Sequence, residues 1–541
     1  MESSINRNFS TLTGETFDLA IVGGGIIGAG IARDAALRGL KTLLIEKDDF
    51  ACGTTSRSSR LIHGGLRYLR HLEFGLVRQD MREREILLHI APHLVHPLAF
   101  LIPVTQPLEC VTMALGMRLY DLLSFDKSLP SRHYLSRRET LELEPGLEMA
   151  KLRGAYLYYD CQAPFVERLC LENVFSAAEH GAVTLNHARL TGILRDGNAV
   201  CGVQVEDVLS GETCRIATRL LVNAAGPWVD DVLGRLQPHP KPLIRKTKGI
   251  HLLIPQICQK AMVLVARTDG RLFFVIPWQG YTLVGTTDTD YSGDLDSVCA
   301  DAEDVAYLLT EVRQVFPSVR MEDIFYTSAG LRALAGSGGS RASNVSRQHK
   351  LADHEQKDGT SGLISILGGK ITGYRNIARE VVDLVCQKLS LEARCKTAET
   401  PLPGAPAVPP EKIEQAARES ELALPTVAHL ADLYGSRYRQ VLESAQKDPR
   451  GKQTVCPHHP DILAQVWHAV EQESALTLDD FLLRRSYMSL GSGQGLDAVE
   501  IVAREMGRLL KWGAGERQRQ IKTYRASVAL GQRFRTEKIS K

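Results

Sequence analysis

An α/β domain on a parallel sheet, an antiparallel sheet beside it and a C-terminal all-α domain form the fold class that this 541-residue chain predicts. Three observations predict it. Strand-like and helix-like segments alternate from Phe17 to Glu46 around a glycine-rich turn. The strand-like segments between Pro242 and Thr287 follow one another without helices between them. Beyond the proline-rich run Thr400 to Pro410, every periodic segment is helical.

Phe17 to Val22 is an apolar run of the length of a buried strand. Gly23, Gly25 and Gly28 follow with G-x-G-x-x-G spacing, and Ile26 to Leu37 continues with apolar residues at helical spacing until Gly39. Thr42 to Ile45 is a second strand and ends on Glu46. Such glycines permit a tight turn, close approach of a pyrophosphate to the backbone, and close helix–strand contact. The helix start offers free N–H groups and a positive dipole end to that pyrophosphate. Glu46 stands close to the offset at which an acid accepts hydrogen bonds from a ribose. An adenine dinucleotide site is the reading.

Asp48 to Leu69 reads as a polar loop carrying Arg57, Arg60, His63, Arg67 and Tyr68 beside that ligand. Glu73 to Ile90 is an amphipathic helix. Leu98 to Val104 is a strand, Val111 to Leu123 an apolar helix and Ser136 to Leu143 a short charged one. Gly154 to Asp160 alternates as a strand does, and Pro164 to His180 is a helix. Strands at Ala182–Asn186, Ala199–Glu206 and Cys214–Val222 lead into Asn223–Val232, where Ala224, Ala225 and Gly226 allow a cofactor to press against backbone.

Lys248 and His251 open a strand that ends at Pro255. Arg271–Trp278 and Tyr281–Thr287 read as a hairpin around Gln279-Gly280. Asp301 to Val315 is a helix, and Ile324 to Ala333 carries Arg332. Leu363 to Leu367 is a strand followed by a glycine turn and a helix to about Leu389, which sets Lys370 at a helix N-terminus suited to an anion. Thr400–Pro410 reads as a linker. The helices after it are Glu411–Leu422, Val427–Leu433, Arg437–Gln446, Asp461–Glu473, Leu478–Met488 and Leu496–Trp512.

Composition narrows the function. Hydrophobic content of 44% and charged content of 24% are those of an ordinary globular protein, and a net charge of +2 gives no reason to expect nucleic acid. Eleven cysteines without C-x-x-C pairs point to reduced thiols and a cytosolic compartment. Cys456 precedes His458 and His459, but no second ligand pair lies nearby, so no metal is expected. The polar first fifteen residues do not read as a secretory leader, and Leu19–Ala32 is too short to span a bilayer. From Lys511 to Lys541, nine basic residues face Glu516 and Glu537 alone, a net +7. That tail, with Trp512, Tyr524 and Phe534, is a candidate contact for an anionic lipid surface, or else a solvated terminus.

Seven stretches together resemble one family. They are GGGIIGAGIARDAALRG at 23–39, TTSRSSRLIHGGLRYL at 54–69, NAAGPWVDD at 223–231, KGIHLLIP at 248–255, VGTTDTDY at 284–291, LGGKITGYR at 367–375 and TLDDFLLRR at 477–485. The chain resembles the FAD-dependent sn-glycerol-3-phosphate dehydrogenases of aerobic metabolism along essentially its whole length. The resemblance implies a fold like that of D-amino-acid oxidase. An FAD-binding domain would comprise residues 1–97, 151–240 and 330–398, a substrate-binding cap domain 98–150 and 241–329, and a helical domain 399–541. It implies FAD as cofactor and oxidation of glycerol 3-phosphate at C2 to dihydroxyacetone phosphate. Electrons would pass to a quinone, with the protein peripheral on the cytoplasmic face of the cell membrane; a homodimer is compatible with all of this.

The resemblance carries over residue by residue. Arg67, Tyr68, Arg332 and Lys370 would contact substrate. Cofactor contacts would come from Gly23, Gly25, Gly28, Glu46, Thr55, Ser56, Arg60, Leu61, His63, Gly64, Ala225, Gly226, Gly369, Lys370, Ile371 and Thr372. The family's SGVRPL stands here as AGLRAL, and its TTYR as TGYR; Arg332 and Lys370 are retained in both. The chemistry agrees. A phosphate dianion needs convergent cations, and a guanidinium offers fork geometry. Oxidising a secondary alcohol needs a base for the hydroxyl proton, for which His251 is the first candidate and His63 the second, with Arg332 beside them. Two alternatives stay open: a glycerol-3-phosphate oxidase using oxygen, and a flavin amine oxidase on the same fold, which needs one arginine for a carboxylate and no cation cluster.

Overall fold

The computed structural model describes residues 9–65, 73–236, 241–336 and 348–536. Arg67 and Tyr68 lie outside them. The chain builds two sheets and a helical domain.

The first sheet is organised around Thr16–Val22, an apolar strand buried along its last four residues. It pairs in parallel with Thr42–Ile45 on one side and Thr213–Asn223 on the other. Thr213–Asn223 pairs in parallel with Leu363–Leu367, and Thr42–Ile45 with Val183–Leu185. Strands buried on both faces need continuous apolar runs, which LAIV, TLLI and LISIL supply. Parallel pairing has a functional consequence. Val22 lies opposite Asn223, and Asn223 opposite Ser365, so the turns at 23–25, 224–228 and 368–373 leave the same edge of the sheet. The open end of a parallel sheet is where such folds bind ligands. The helix Ile26–Leu37 covers one face beside Val166–Glu179 and Tyr374–Leu389. A Cβ on Gly30 would sit 2.8 Å from the ring of Tyr374, so glycine permits that helix pair its close approach.

Among the described residues the second sheet has ten strands. Ile244–Pro255 runs antiparallel to Tyr326–Ala335 in a continuous register, from Ile244 opposite Ala335 to Leu253 opposite Tyr326. It also pairs with Tyr281–Gly285, which turns back on Leu272–Trp278 through Gln279 and Gly280, both at positive φ. This hairpin is as the sequence predicts. Gly154–Gln162 pairs with His96–Val104 over nine residues and with Leu61–Ile62, so it is a strand of the second sheet. Tyr326–Ala335 crosses the expected boundary at 329/330.

The C-terminal domain has its own core around Trp467, Phe481, Val499 and Tyr524. The run before it is not a free linker: Leu402 is buried and its N–H donates to Ile90 O at 2.8 Å, while Gly404 N–H donates to Glu172. The basic tail is also different from expectation. Ala514–Leu530 is a helix with Ile521, Tyr524 and Val528 buried, and Phe534 is buried against the second sheet. Tyr524 and Phe534 therefore cannot serve as interfacial anchors, and the terminus is packed structure through 536. Among the described residues no helix is long and apolar enough to cross a membrane.

Candidate active site

A cavity of about 660 Å³ lies where the open edge of the first sheet meets one face of the second. The glycine turn forms one wall. Gly23 has φ +109° and a Cβ there would lie 2.6 Å from Ala224 O, so the turn itself demands glycine. A Cβ on Gly28 would run into Gly23 O. At Gly25 the nearest obstacle is Thr55 Oγ1 at 3.4 Å, so the space before it is cavity. The three glycines thus divide the work: turn, ligand approach and helix–strand packing. Gly25 caps the helix with no side-chain partner, and Thr55 Oγ1 accepts the Ile26 N–H at 3.1 Å. Glu46 lines the same wall, accepting from the N–H groups of Gly24 (2.7 Å) and Asp48 (3.0 Å). Burial and the neighbouring Asp48 carboxylate push it up to about 7.

The second sheet supplies the floor. Cross-strand partners share a face, and the register pairs Thr247 with Arg332, Gly249 with Gly330 and His251 with Ser328. Arg332 and His251 therefore stand on the same face with two glycines between them. A Cβ on Gly249 would collide with the Arg332 guanidinium, and one on Gly330 would meet Arg57 at 2.9 Å. Arg332 donates to Thr286 Oγ1 (2.8 Å) and Thr287 O (3.1 Å), with Asp288 at 3.3 Å. His251 is buried; its Nε2 lies 2.8 Å from Ser59 Oγ, and its buried Nδ1 has no hydrogen-bond partner among the described residues. Burial, then the positive charges of Arg332 and Arg60, push it down to about 3, so the imidazole is neutral at ordinary pH.

The last wall is the turn after Leu363–Leu367, where Gly368 and Gly369 have positive φ. Lys370 Nζ lies 2.7 Å from Asp80 Oδ2. Burial raises Asp80 to about 6 against the pull of Lys370. Thr372 Oγ1 accepts the His63 N–H at 3.1 Å, and the His63 ring stands edge-on to Phe274.

Ala225, Gly226, Leu61, Ile371 and Thr372 also line the cavity, as do Thr55, His63, Gly369 and Lys370. Arg60 lines it too, but its guanidinium is held by both oxygens of Glu167 (2.6 and 2.7 Å) and lies over Trp278. Three expected positions fall outside the lining. Gly28 and Gly64 serve packing, Gly64 being pressed against Tyr120 and Met81, and Ser56 bonds back to the carbonyls of Cys52 and Gly53.

Comparison with known proteins gives the family. The family model described as FAD dependent oxidoreductase matches residues 18–375, and the C-terminal domain of alpha-glycerophosphate oxidase matches 395–517. A glycerol-3-phosphate dehydrogenase of Synechocystis sp. is 41% identical over 539 residues, covering 96% of this chain and 97% of its own. The chain belongs to the FAD-dependent glycerol-3-phosphate dehydrogenases. The enzyme's fold matches the glycerol-3-phosphate dehydrogenase of Bacillus halodurans complexed with FAD, with a TM-score of 0.81, 31% identity and 98% of both chains covered. Glycine oxidase from Geobacillus kaustophilus shares the fold over 72% of this chain, with a TM-score of 0.52 and 21% identity. The enzyme is thus an FAD-dependent oxidoreductase, and the cavity fits that cofactor: the space before Gly25 is open at the start of the helix Ile26–Leu37, Glu46 lines the same wall, and the two glycines of the sheet floor make room for the side chains of Arg332 and Arg57.

Several residues of the site were beyond sequence reading. Ser59 and Gly249 sit inside quoted motifs but carry no chemistry of their own until His251 and Arg332 are seen beside them. Asp80 lies in a helix rich in charges and is 290 residues from Lys370; no local signal marks it. Among the described residues two groups of ligating side chains approach one another, Glu46–Asp48–Cys52 and Asp49–His187–Asp480, and neither includes Cys456, His458 or His459.

Proposed function

We propose that the enzyme oxidises sn-glycerol 3-phosphate at C2 to dihydroxyacetone phosphate and passes the electrons to a membrane quinone. The observation that carries this reading is the shared face of Arg332 and His251, with Lys370 on the facing turn. It sets a base between cations, which suits an alcohol that carries a phosphate dianion.

In this reading Gly25 and the start of the helix Ile26–Leu37 hold the FAD pyrophosphate, and Glu46 the ribose. When bound, FAD supplies the acceptor for the two electrons that leave C2. Arg332 and Lys370 bind the phosphate, with Arg67 and Tyr68 as further contacts. Both cations already bond to protein groups, Thr286, Thr287 and Asp288 for the first and Asp80 for the second, which fixes their direction before substrate arrives. The C2 hydroxyl gives its proton to the neutral imidazole of His251, which lines the cavity and whose Nε2 lies 2.8 Å from Ser59 Oγ. Arg332 depresses the basicity of His251. A bound phosphate dianion offsets that charge and makes the imidazole a better base only when the substrate is in place.

The quinone reading is supported by the curated relatives, which are named dehydrogenases, among them the aerobic glycerol-3-phosphate dehydrogenase of Staphylococcus saprophyticus. Contact with a membrane surface is supported by the helix Pro107–Leu123 and the turn after it, where Leu115, Leu122 and Phe125 are 60%, 68% and 76% exposed. Water-facing apolar side chains in series at helical spacing are what a monotopic interface needs. The test is a substrate comparison with an artificial electron-accepting dye. Turnover of glycerol 3-phosphate with none of sarcosine or glycine is expected; turnover of the amino acids alone would move the enzyme to the amine oxidases.

A further inference from the structure

The stretch Thr477–Arg485 has no part in the chemistry above, yet its end leaves the helical domain. Thr477 and Asp480 cap the helix Leu478–Arg484 reciprocally. Arg484 and Arg485 then both reach Asp49, a residue of the cofactor domain. Arg484 Nε lies 2.5 Å from Asp49 Oδ2, Arg485 Nη2 lies 2.9 Å from Oδ1, and Arg485 Nη1 bonds Oδ2 as well. Asn186 Nδ2 adds a fourth donor at 3.0 Å. Arg484 also holds Asp480 at 3.0 Å, which accepts His187 on its other oxygen at 2.9 Å. Asp49, Arg485 and Asp480 are fully buried. Four donors use the lone-pair capacity of the Asp49 carboxylate, so this cluster is an ion-pair network and leaves no place for a metal.

Asp49 starts the segment that frames the glycine turn. Ala51 N–H donates to Gly24 O at 3.0 Å. The ring of Phe50 is the first atom group that a Cβ on Gly24 would meet, at 2.6 Å. Cys52 to Thr55 then line the cavity, and Thr55 Oγ1 takes the Ile26 N–H at the helix start. Only two residues and one hydrogen bond separate the Asp49 carboxylate from the backbone of the turn. A buried ion pair adds little net stability over apolar packing, whereas it fixes geometry.

We propose that the appended helical domain is part of the cofactor site: Arg484 and Arg485 are positioning residues that hold the dinucleotide turn through Asp49, and FAD affinity depends on them. The experiment titrates FAD into the deflavinated full-length enzyme, following flavin fluorescence, with melting temperature measured in parallel. Arg485→Gln and Asp49→Asn change the local charge in opposite directions. Both are expected to raise the FAD Kd by roughly tenfold or more, the loss expected of one charged hydrogen bond. Arg485→Lys, which keeps the charge and loses the fork, is expected between them and the parent. Glu473→Gln breaks the Arg168–Glu473 side-chain pair at the same domain interface (Arg168 Nη2 to Oε2, 3.1 Å) and keeps the Glu473 carbonyl that accepts from Arg485 Nη2 at 2.9 Å. It is expected to lower the melting temperature and leave Kd unchanged. Three results would each overturn the proposal: an unchanged Kd for Arg485→Gln, opposite changes for Arg485→Gln and Asp49→Asn, or equal weakening by Glu473→Gln. Should Arg485→Gln fail to fold, an unchanged Kd for Arg485→Lys overturns it in the same way.

Discussion

Replacing Arg332 by alanine tests the phosphate reading at its strongest point. The guanidinium is held by Thr286, Thr287 and Asp288 and is partly open to the cavity, with the side chain 20% exposed. Its removal leaves the carbonyl of Thr287 and the Asp288 carboxylate facing a cavity that water can enter, so the fold should survive. The loss to binding is one charge-assisted contact with a phosphate, about 1.5–3 kcal/mol or on the order of tenfold to a hundredfold in apparent affinity. Glycerol has the same C2 carbinol and no phosphate. The assay is kcat/KM for glycerol 3-phosphate and for glycerol, measured for the parent, Arg332→Ala and Arg332→Lys with the same dye. The expected outcome is a loss of at least tenfold with glycerol 3-phosphate and little with glycerol. Lysine should recover part, because charge returns without the fork. Equal proportional losses on both substrates would refute the argument and assign Arg332 to holding the sheet face or the flavin.

The remaining predictions concern the base, the cradle and the surface. His251→Gln should slow flavin reduction by glycerol 3-phosphate and leave flavin content near one per chain; reduction at the parent rate would move the base to His63. Because His251 is pushed down to about 3, it stays neutral in the free enzyme. The acid limb of kcat/KM should then fall near the second ionisation of a phosphate monoester, about 6. The same limb in His251→Gln supports this, and its disappearance contradicts it. The lowered pKa also means that the unfolded chain takes up a proton on His251 first, so the stability tied to this residue is present above about 6.5 and is lost as pH falls towards 3. Gly25→Val should give a folded protein without yellow colour, while Gly28→Val, whose side chain would enter Gly23 O, should give little folded protein; a fully flavinated Gly25→Val sinks the assignment of that turn. Leu122→Glu with Phe125→Glu should reduce co-sedimentation with anionic vesicles at unchanged dye-linked activity, and equal pelleting would place the lipid contact on another surface.

How far the sequence reached depends on whether the information was local. The turn at 23–28 was legible because strand, glycines, helix and terminal acid agree within thirty residues, and the hairpin at Gln279-Gly280 was legible because its turn chemistry is confined to two positions. Leu363–Leu367 was bounded to the residue by an apolar run and two glycines. Sheet membership was not legible for Gly154–Gln162, since an alternating strand shows its face and not its partner. The linker composition of Thr400–Pro410 concealed Leu402, whose N–H a single backbone hydrogen bond fixes to Ile90 O. The helix Ala514–Leu530 shows only Ile521, Tyr524 and Val528 to the core among many charges, a stripe too narrow to stand out from a basic tail. In the site, residue types and cations were readable. The pairs that aim them were not, because Ser59–His251, Asp80–Lys370 and Asp49–Arg485 span 192, 290 and 436 residues.

The most direct measurement is anaerobic reduction of the purified holoenzyme followed by re-oxidation in a stopped-flow instrument. Glycerol 3-phosphate is mixed with the enzyme in the absence of air, and the absorbance of the oxidised flavin is followed. The reduced enzyme is then mixed with a soluble quinone or with oxygenated buffer. Stoichiometric bleaching is expected, with dihydroxyacetone phosphate formed one for one and re-oxidation by the quinone outrunning re-oxidation by oxygen at equal concentration. Failure of glycerol 3-phosphate to bleach the flavin would contradict the proposed substrate, and faster return of colour with oxygen would contradict the proposed acceptor.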